Sequence, residues 1–263
     1  MNVSFHVLGA VGVSVGDDER LPITFTMLRG LLACLLLRPN QFVPLSQLAS
    51  ALWHTPPASA SSNLRTYAAR LRSTLAAVDP ELAARLSHVR GRGYRLSGQP
   101  WEFDHVVFRD LSRVGREQLR LADAAAAADS LTRALAMWRG QAGDDVPPDS
   151  PVQEQLRTLN DNRVTAEEDL AEARLLLGDY GHLGADLRMH IAQHPLRERA
   201  YGLLMRALYL SGNPAAALDV YDELRKALAT RLGTDPSPEI QCVYLAVLRH
   251  DKAALVTAQL GRS

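Results

Sequence analysis

Apolar positions change their period along this chain. Residues 3–15 alternate in part, with Val3, Phe5 and Val7 and then Val11, Val13 and Val15 on one face, punctuated by Gly9, Gly12 and Gly16. That pattern predicts short strands of a small antiparallel sheet, with Leu21-Pro22-Ile23-Thr24 as a further strand. Residues 25–37 form a dense apolar helical run, stopped by Arg38-Pro39-Asn40. A short extended piece, Phe42-Val43-Pro44, leads to Ser46, which suits the N-cap of a helix over 47–53. A Pro/Ser/Ala loop over 54–61 precedes an amphipathic run over 59–75 that carries Arg65, Arg70 and Arg72. Asp79-Pro80 ends it, a brief helical turn reaches Arg85, and 86–98 reads as a hairpin whose turn Gly91 and Gly93 permit. The predicted order is sheet, three helices, hairpin.

Beyond Ser97-Gly98-Gln99-Pro100, a turn-rich junction, the helical period takes over. Two helical patterns fill 104–139, the second rich in alanine, and a Gly/Asp/Pro loop follows over 141–151. From 152 to 250, helical runs alternate with short breaks. Leu177-Gly178-Asp179-Tyr180 and Ser211-Gly212-Asn213-Pro214 lie 34 residues apart, each between two helical runs. On that period Leu183, Leu187 and Ile191 align with Ala217, Tyr221 and Arg225. This is the tetratricopeptide spacing, in which helix pairs stack on their neighbours. The expected fold is mainly α with a small N-terminal β component. A winged helix-turn-helix spans 1–98 and an all-α, tetratricopeptide-like helical-repeat domain spans 99–263.

The formal net charge of zero hides an asymmetry. Residues 1–98 hold ten arginines and no lysine against five acids, whereas 99–263 hold nineteen basic residues against twenty-four acidic ones. Within the first part, 59–96 alone carry seven arginines against Asp79 and Glu81. Positive charge is thus concentrated on the third helix and the hairpin, where attraction to phosphate would need it. Two cysteines, Cys34 and Cys242, are far apart and inside apolar helical patterns, which points to buried reduced thiols rather than a disulfide framework. The first residues lack a signal-peptide layout, and the strongest apolar run, 31–37, is too short to span a bilayer.

A helix with an arginine-bearing exposed face, followed by a glycine-punctuated hairpin, can place the helix in a major groove and the hairpin on the adjacent backbone. On the third helix Leu64, Ala68, Leu71 and Leu75 form the packing stripe, with Tyr67 beside it. Ser62, Thr66, Ala69, Arg70 and Ser73 occupy the opposite face, flanked by Arg65 and Arg72. Small residues there allow close approach. Arg65 or Arg70 suits a bidentate contact to guanine, Thr66 a thymine methyl, and Ser62 near the helix start a phosphate. In the hairpin Arg92 suits the wing tip and Arg90 a phosphate contact, while Tyr94 suits packing against the domain. The DNA-binding set expected from sequence is therefore Ser62, Arg65, Thr66, Arg70, Arg72, Ser73, Arg90 and Arg92.

Val89-Arg90-Gly91-Arg92-Gly93-Tyr94-Arg95-Leu96 resembles the hairpin signature of OmpR/PhoB-type winged helices, and Leu64-Arg65-Thr66-Tyr67-Ala68-Ala69-Arg70-Leu71-Arg72 agrees with their third helix. Downstream, 134–140, His194-Pro195-Leu196-Arg197-Glu198-Arg199 and 232–239 resemble the bacterial transcriptional activation domain. That pairing, in that order, resembles the Streptomyces antibiotic regulatory protein family over nearly the whole chain. The resemblance implies a cytoplasmic, nucleoid-associated activator of a secondary-metabolite gene cluster. It would bind direct repeats of promoter DNA near the −35 element as two protomers side by side. It would recruit RNA polymerase holoenzyme, including sigma region 4, with the 54–60 loop as one contact. The sequence has no Gly-x4-Gly-Lys-Ser/Thr loop and no receiver domain before the winged helix, so control by ATP or phosphorylation has no visible apparatus.

An enzyme needs a constellation, and neither Gly-x-Ser-x-Gly, His-Glu-x-x-His nor a paired-cysteine motif occurs. His182, Asp186, His190 and His194 recur every four residues along one helix, a spacing that could hold a transition metal. They flank the Leu183/Leu187/Ile191 stripe, so a solvated or groove-lining face accounts for them without one. No enzyme activity, cofactor or metal is expected. The rival readings are a helical-repeat interaction scaffold, and a repressor using the same winged helix.

Overall fold

A computed structural model describes residues 3–16, 19–89 and 92–257. By compactness the chain divides into two units, Met1–Arg113 with Arg133–Val164, and Val114–Thr132 with Thr165–Ser263.

In the first unit, β1 (Val3–His6), β2 (Gly12–Val15) and β3 (Glu19–Arg20) form an antiparallel sheet in chain order. The alternation predicted a strand over Leu21-Pro22-Ile23-Thr24, but pairing stops as that segment begins. Leu21 N–H still donates to Val13 O at 2.9 Å, and Pro22 then has no N–H to continue the ladder. Leu21 and Ile23 stay buried all the same. Next come α1 (Thr26–Leu36), β4 (Val43–Pro44), α2 (Leu45–Leu52), α3 (Ala60–Ala76) and α4 (Pro80–Arg85). Ser46 is not the N-cap of α2. Pro44 takes that position, because β4 carries extended backbone up to it and Leu45 turns inward. Asp79 does cap α4, its carboxylate accepting from Glu81 N–H at 2.8 Å.

The hairpin β5 (Leu86–Val89) and β6 (Gly93–Leu96) joins β4 in a second sheet of order β4-β6-β5. Gly93 is needed there for closeness rather than for the turn. A Cβ at this position would lie 2.1 Å from Val43 O, where β4 runs against β6. Gly91 lies outside the described residues.

After a 3-10 turn (Pro100–Glu102) come α5 (Asp104–Arg120), α6 (Ala124–Leu135) and α7 (Val152–Leu176). Asp104 is buried, and its carboxylate accepts from Val7 N–H at 3.0 Å, Leu8 N–H at 3.1 Å and Arg139 Nη2 at 2.6 Å. His6 completes the knot, between Ser14 Oγ at 2.7 Å and Arg139 Nη2 at 2.9 Å. Phe5 bridges Phe103, with ring centroids 5.0 Å apart. The Trp138-Arg139-Gly140 motif is therefore structural: Trp138 meets Phe108 edge-on at 5.2 Å and lies under Arg163 at 5.2 Å. Burial of His105 pushes its imidazole down to about 4, so it is neutral at pH 7.

In the second unit, α8 (Tyr180–Gln193), α9 (Glu198–Leu210), α10 (Pro214–Arg231), α11 (Pro238–Leu248) and α12 (Lys252–Thr257) complete the chain. Helix α9 packs against all four others, which is why its residues from Ala200 to Ala207 are buried. The predicted repeat is visible in backbone bonding. Gly178 N–H donates to Leu175 O and Asp179 N–H to Arg174 O; 34 residues on, Gly212 N–H donates to Tyr209 O and Asn213 N–H to Leu208 O. Both glycines have positive φ, 81° and 90°, the left-handed helix end of a Schellman motif.

The side-chain register fits less well. Leu183, Leu187 and Ala217 are buried, but Arg225 is exposed, and Val220 and Leu224 take the core positions of α10. Cys34 is buried, its thiol pushed up to about 12 by desolvation, whereas Cys242 is exposed, against expectation. No described helix is long and apolar enough to cross a membrane.

Candidate nucleic-acid interface

Helix α3 is held by the stripe that its sequence announced. Leu64, Ala68, Leu71 and Leu75 are buried, packing α3 against α1, α2 and α4. Each such leucine contributes roughly 1.5–3 kcal/mol on burial, enough to fix which face looks outward. That outward face carries Ser62, Arg65, Thr66, Ala69, Arg70 and Ser73, all exposed. Thr66 Oγ1 donates to Ser62 O at 3.1 Å, so its methyl is turned away from its own backbone bond.

The arginines differ in what holds them. Arg72 is half-buried and donates from Nε at 3.3 Å and Nη2 at 3.1 Å to Leu86 O, tying α3 to the first strand of the wing. Arg85 is committed to the buried Glu102, 2.7 Å away. Arg65, Arg70, Arg92 and Arg95 are exposed, and among the described residues none of the four pairs with a carboxylate. Arg90 lies outside the described residues. Arg92 is anchored by its backbone, its carbonyl accepting from Leu45 N–H at 2.9 Å. Tyr94 is buried, its ring tilted 47° against that of His88 with centroids 5.2 Å apart. Burial raises its phenol above the ordinary value, against the opposing charges of Arg72 and Arg65.

Sequence reasoning missed an aromatic row beside the helix. Phe25 meets Tyr67 at 5.7 Å and Tyr67 meets Trp53 at 6.5 Å between centroids, and the Arg70 guanidinium carbon lies 6.0 Å from the Phe25 ring. Phe25 stands before α1, 45 positions from Arg70, so no local pattern joins them. The one hint was an aromatic residue at the edge of an otherwise aliphatic run.

Two members of the ladder His182, Asp186, His190 and His194 are taken by ion pairs. Asp186 pairs with Arg174 at 2.8 Å, and His190 lies 3.3 Å from Glu167 and 3.6 Å from Glu168. Among the described residues no group of three or more His, Cys, Asp or Glu is placed to hold a metal ion. The His194–Arg199 motif has a similar use. Arg197 grips the buried Glu168 through Nη2 at 2.6 Å and Nε at 2.9 Å. Arg199 bridges the buried Asp169 and Glu172, each at 2.6 Å, and Arg116 reaches Asp169 at 3.2 Å.

Comparison with known proteins gives this geometry a context. The family profile described as "Transcriptional regulatory protein, C terminal" matches residues 25–96, and that described as "Bacterial transcriptional activator domain" matches residues 103–248. Regulatory protein AfsR of Streptomyces coelicolor is 36% identical over 251 residues, spanning 95% of this chain and 24% of its own length. Regulatory protein DnrI of Streptomyces peucetius is 31% identical over 245 residues, spanning 91% of this chain and 88% of its own. This chain thus spans about a quarter of AfsR but most of DnrI. Among solved structures, Mycobacterium tuberculosis EmbR in complex with a low-affinity phosphopeptide superposes with a TM-score of 0.88 at 29% identity, covering 97% of this chain and 68% of that one.

Proposed function

The chain belongs to the Streptomyces antibiotic regulatory protein family, and on that premise we propose that it is a sequence-specific, DNA-binding transcriptional activator of a secondary-metabolite gene cluster. Residues 1–98 bind promoter DNA and residues 99–263 serve activation. The observation that carries this reading is the exposed strip Ser62, Arg65, Thr66, Arg70 and Ser73, held outward by a buried leucine stripe beside a wing that exposes Arg92. Within the strip Arg65 and Arg70 read bases, Thr66 meets a thymine methyl, and Ser62 and Ser73 serve at its ends. Arg92, with Arg90, neutralises phosphate across the hairpin. Arg72 acts through its bond to Leu86 O, setting the angle between reading helix and wing.

Two protomers would lie side by side on direct repeats near a −35 element. They would recruit RNA polymerase holoenzyme, with the exposed 54–59 loop between α2 and α3 as one surface for sigma region 4. The protein acts as a regulator in the cytoplasm, at the nucleoid, and neither catalysis nor a cofactor enters the reading.

Selection of bound sequences from a random DNA pool at about physiological salt tests the reader, because nonspecific phosphate binding is weakened there. The expected result is a short motif repeated at about one helical turn. Absence of any enriched motif would sink the reading and leave a helical-repeat scaffold. A polymerase-dependent transcription assay on the selected site then separates activator from repressor.

A further inference from the structure

Beside the reading helix, the first unit has an open groove of about 530 Å³, a volume typical of small-molecule sites. Its floor and walls are Leu21, Leu28, Phe25, Ala77 and Val78, and among the described residues Arg70 is the one charged residue of its lining. Hydroxyls of Thr24, Ser73 and Thr74 share the rim. Thr74 Oγ1 donates to Arg70 O at 3.1 Å, which ties that hydroxyl to the backbone of α3. Two large apolar side chains of its lining, Phe25 at 44% and Val78 at 42%, stay exposed.

We propose that this groove binds a small apolar acid, with its hydrocarbon body against Leu21, Leu28 and Val78 and its carboxylate on Arg70. Charge complementarity chooses the occupant. An apolar body alone would leave Arg70 unanswered, and a cation would be repelled by it. The Arg70 guanidinium carbon lies 6.0 Å from the Phe25 ring centroid, and a planar carboxylate can take one guanidinium edge through two parallel N–H···O bonds. Arg70 also stands on the face assigned to DNA. Acid and DNA therefore compete for one guanidinium, and each must weaken the other's binding by the same factor. Only this regulatory consequence rests on the DNA-reading proposal; occupancy of the groove does not.

The test is a titration of the isotope-labelled full chain with naphthalene-2-carboxylate, followed by amide chemical shifts. 2-Naphthamide, of nearly the same shape but uncharged, is the control. The acid should bind with a Kd of about 1 mM, as its size allows, and shift amides around residues 21–28 and 70–78. The amide should bind about threefold to fivefold more weakly, the worth of one exposed ion pair. Arg70→Gln should equalise the two probes. Ala77→Phe should fill the groove and abolish both shifts, while DNA affinity is kept because Ala77 lies beyond the reading strip.

Shifts centred elsewhere, equal binding of acid and amide, or undiminished binding by Ala77→Phe would overturn the site. Saturable binding in the groove that leaves DNA affinity unchanged would uphold the site and remove Arg70 from the DNA contact.

Discussion

Arginine does opposite work at two places in this molecule. Arg65, Arg70 and Arg92 stand in solvent without a carboxylate partner among the described residues, each on well-anchored backbone. Arg197 and Arg199 face Glu168, Asp169 and Glu172, three carboxylates of α7 that are each no more than 2% exposed. An exposed cation contributes almost nothing to folding and stays available to a polyanion. One set against buried carboxylates contributes mainly by answering charges that would otherwise be stranded. The lesson is that arginine content alone does not separate charge left open to a ligand from charge spent within the fold.

The widest gap should appear in unfolding. Arg199→Ala leaves Asp169 and Glu172 without their closest cation and should cost about 3–5 kcal/mol, whereas Arg70→Ala should change stability by less than about 0.5 kcal/mol. Urea unfolding of both variants decides it, and equal losses would erase the contrast. In DNA binding the order reverses. Arg70→Ala or Arg65→Ala should weaken specific binding by about 1–3 kcal/mol and relax preference at one base, while Arg199→Lys, if folded, should not. If both α3 variants keep full preference, the reading helix is misassigned.

Acidity should separate the parts next. Hydrogen bonding and attraction to Glu167 and Glu168 hold His190 up at about 9, although burial opposes them. Because its folded value lies above the ordinary 6.5, its stabilisation is complete below pH 6.5 and is lost as pH rises toward 9. The partners His190, Arg197 and Arg199 hold Glu168 below the usual carboxylate range despite its burial, so its contribution is present above the unfolded pKa and is lost in acid. The melting temperature should therefore fall between pH 6.5 and 9 in the parent, by the equivalent of about 1–2 kcal/mol, and stay flatter in His190→Gln.

A smaller effect concerns the wing: Arg92→Ala should weaken binding to all sequences alike and reduce the salt slope by about one phosphate's worth, read from binding at several salt concentrations.

The least effect tests the helix ends. Ala122 and His250 adopt positive φ, 61° and 55°, in the same two-bond turn that Gly178 and Gly212 make. Ala122→Gly or His250→Gly should relieve left-handed strain and stabilise by roughly 0.5–1 kcal/mol, measured by thermal unfolding.

Those two turns also mark the limit of what could be read. The repeat was legible at Gly178 and Gly212 because glycine advertises a left-handed helix end. The same turn at Leu121-Ala122-Asp123 and Arg249-His250-Asp251 passed unseen, since neither carries the glycine and only an aspartate or asparagine after it is common to all four. Likewise the outward face of α3 followed from its leucine spacing, whereas the bond of Arg72 to Leu86 O and the approach of Phe25 to Arg70 did not.

By itself the sequence determined what depends on neighbours a few positions away. Periodicity places the buried stripe of α3, and with it the exposed strip; Asp79-Pro80 ends one helix and caps the next; the crowding of arginine into 59–96 marks the basic part. Tertiary structure alone decided which arginines, in that part and beyond it, are taken. Pairing needs atoms within about 4 Å, and the partners lie far along the chain: Arg72 at Leu86, Arg85 at Glu102, Arg139 at Asp104, Arg199 at Asp169. Whether a charge is spent within the fold or left for a ligand is a matter of distance in space, which no local pattern carries.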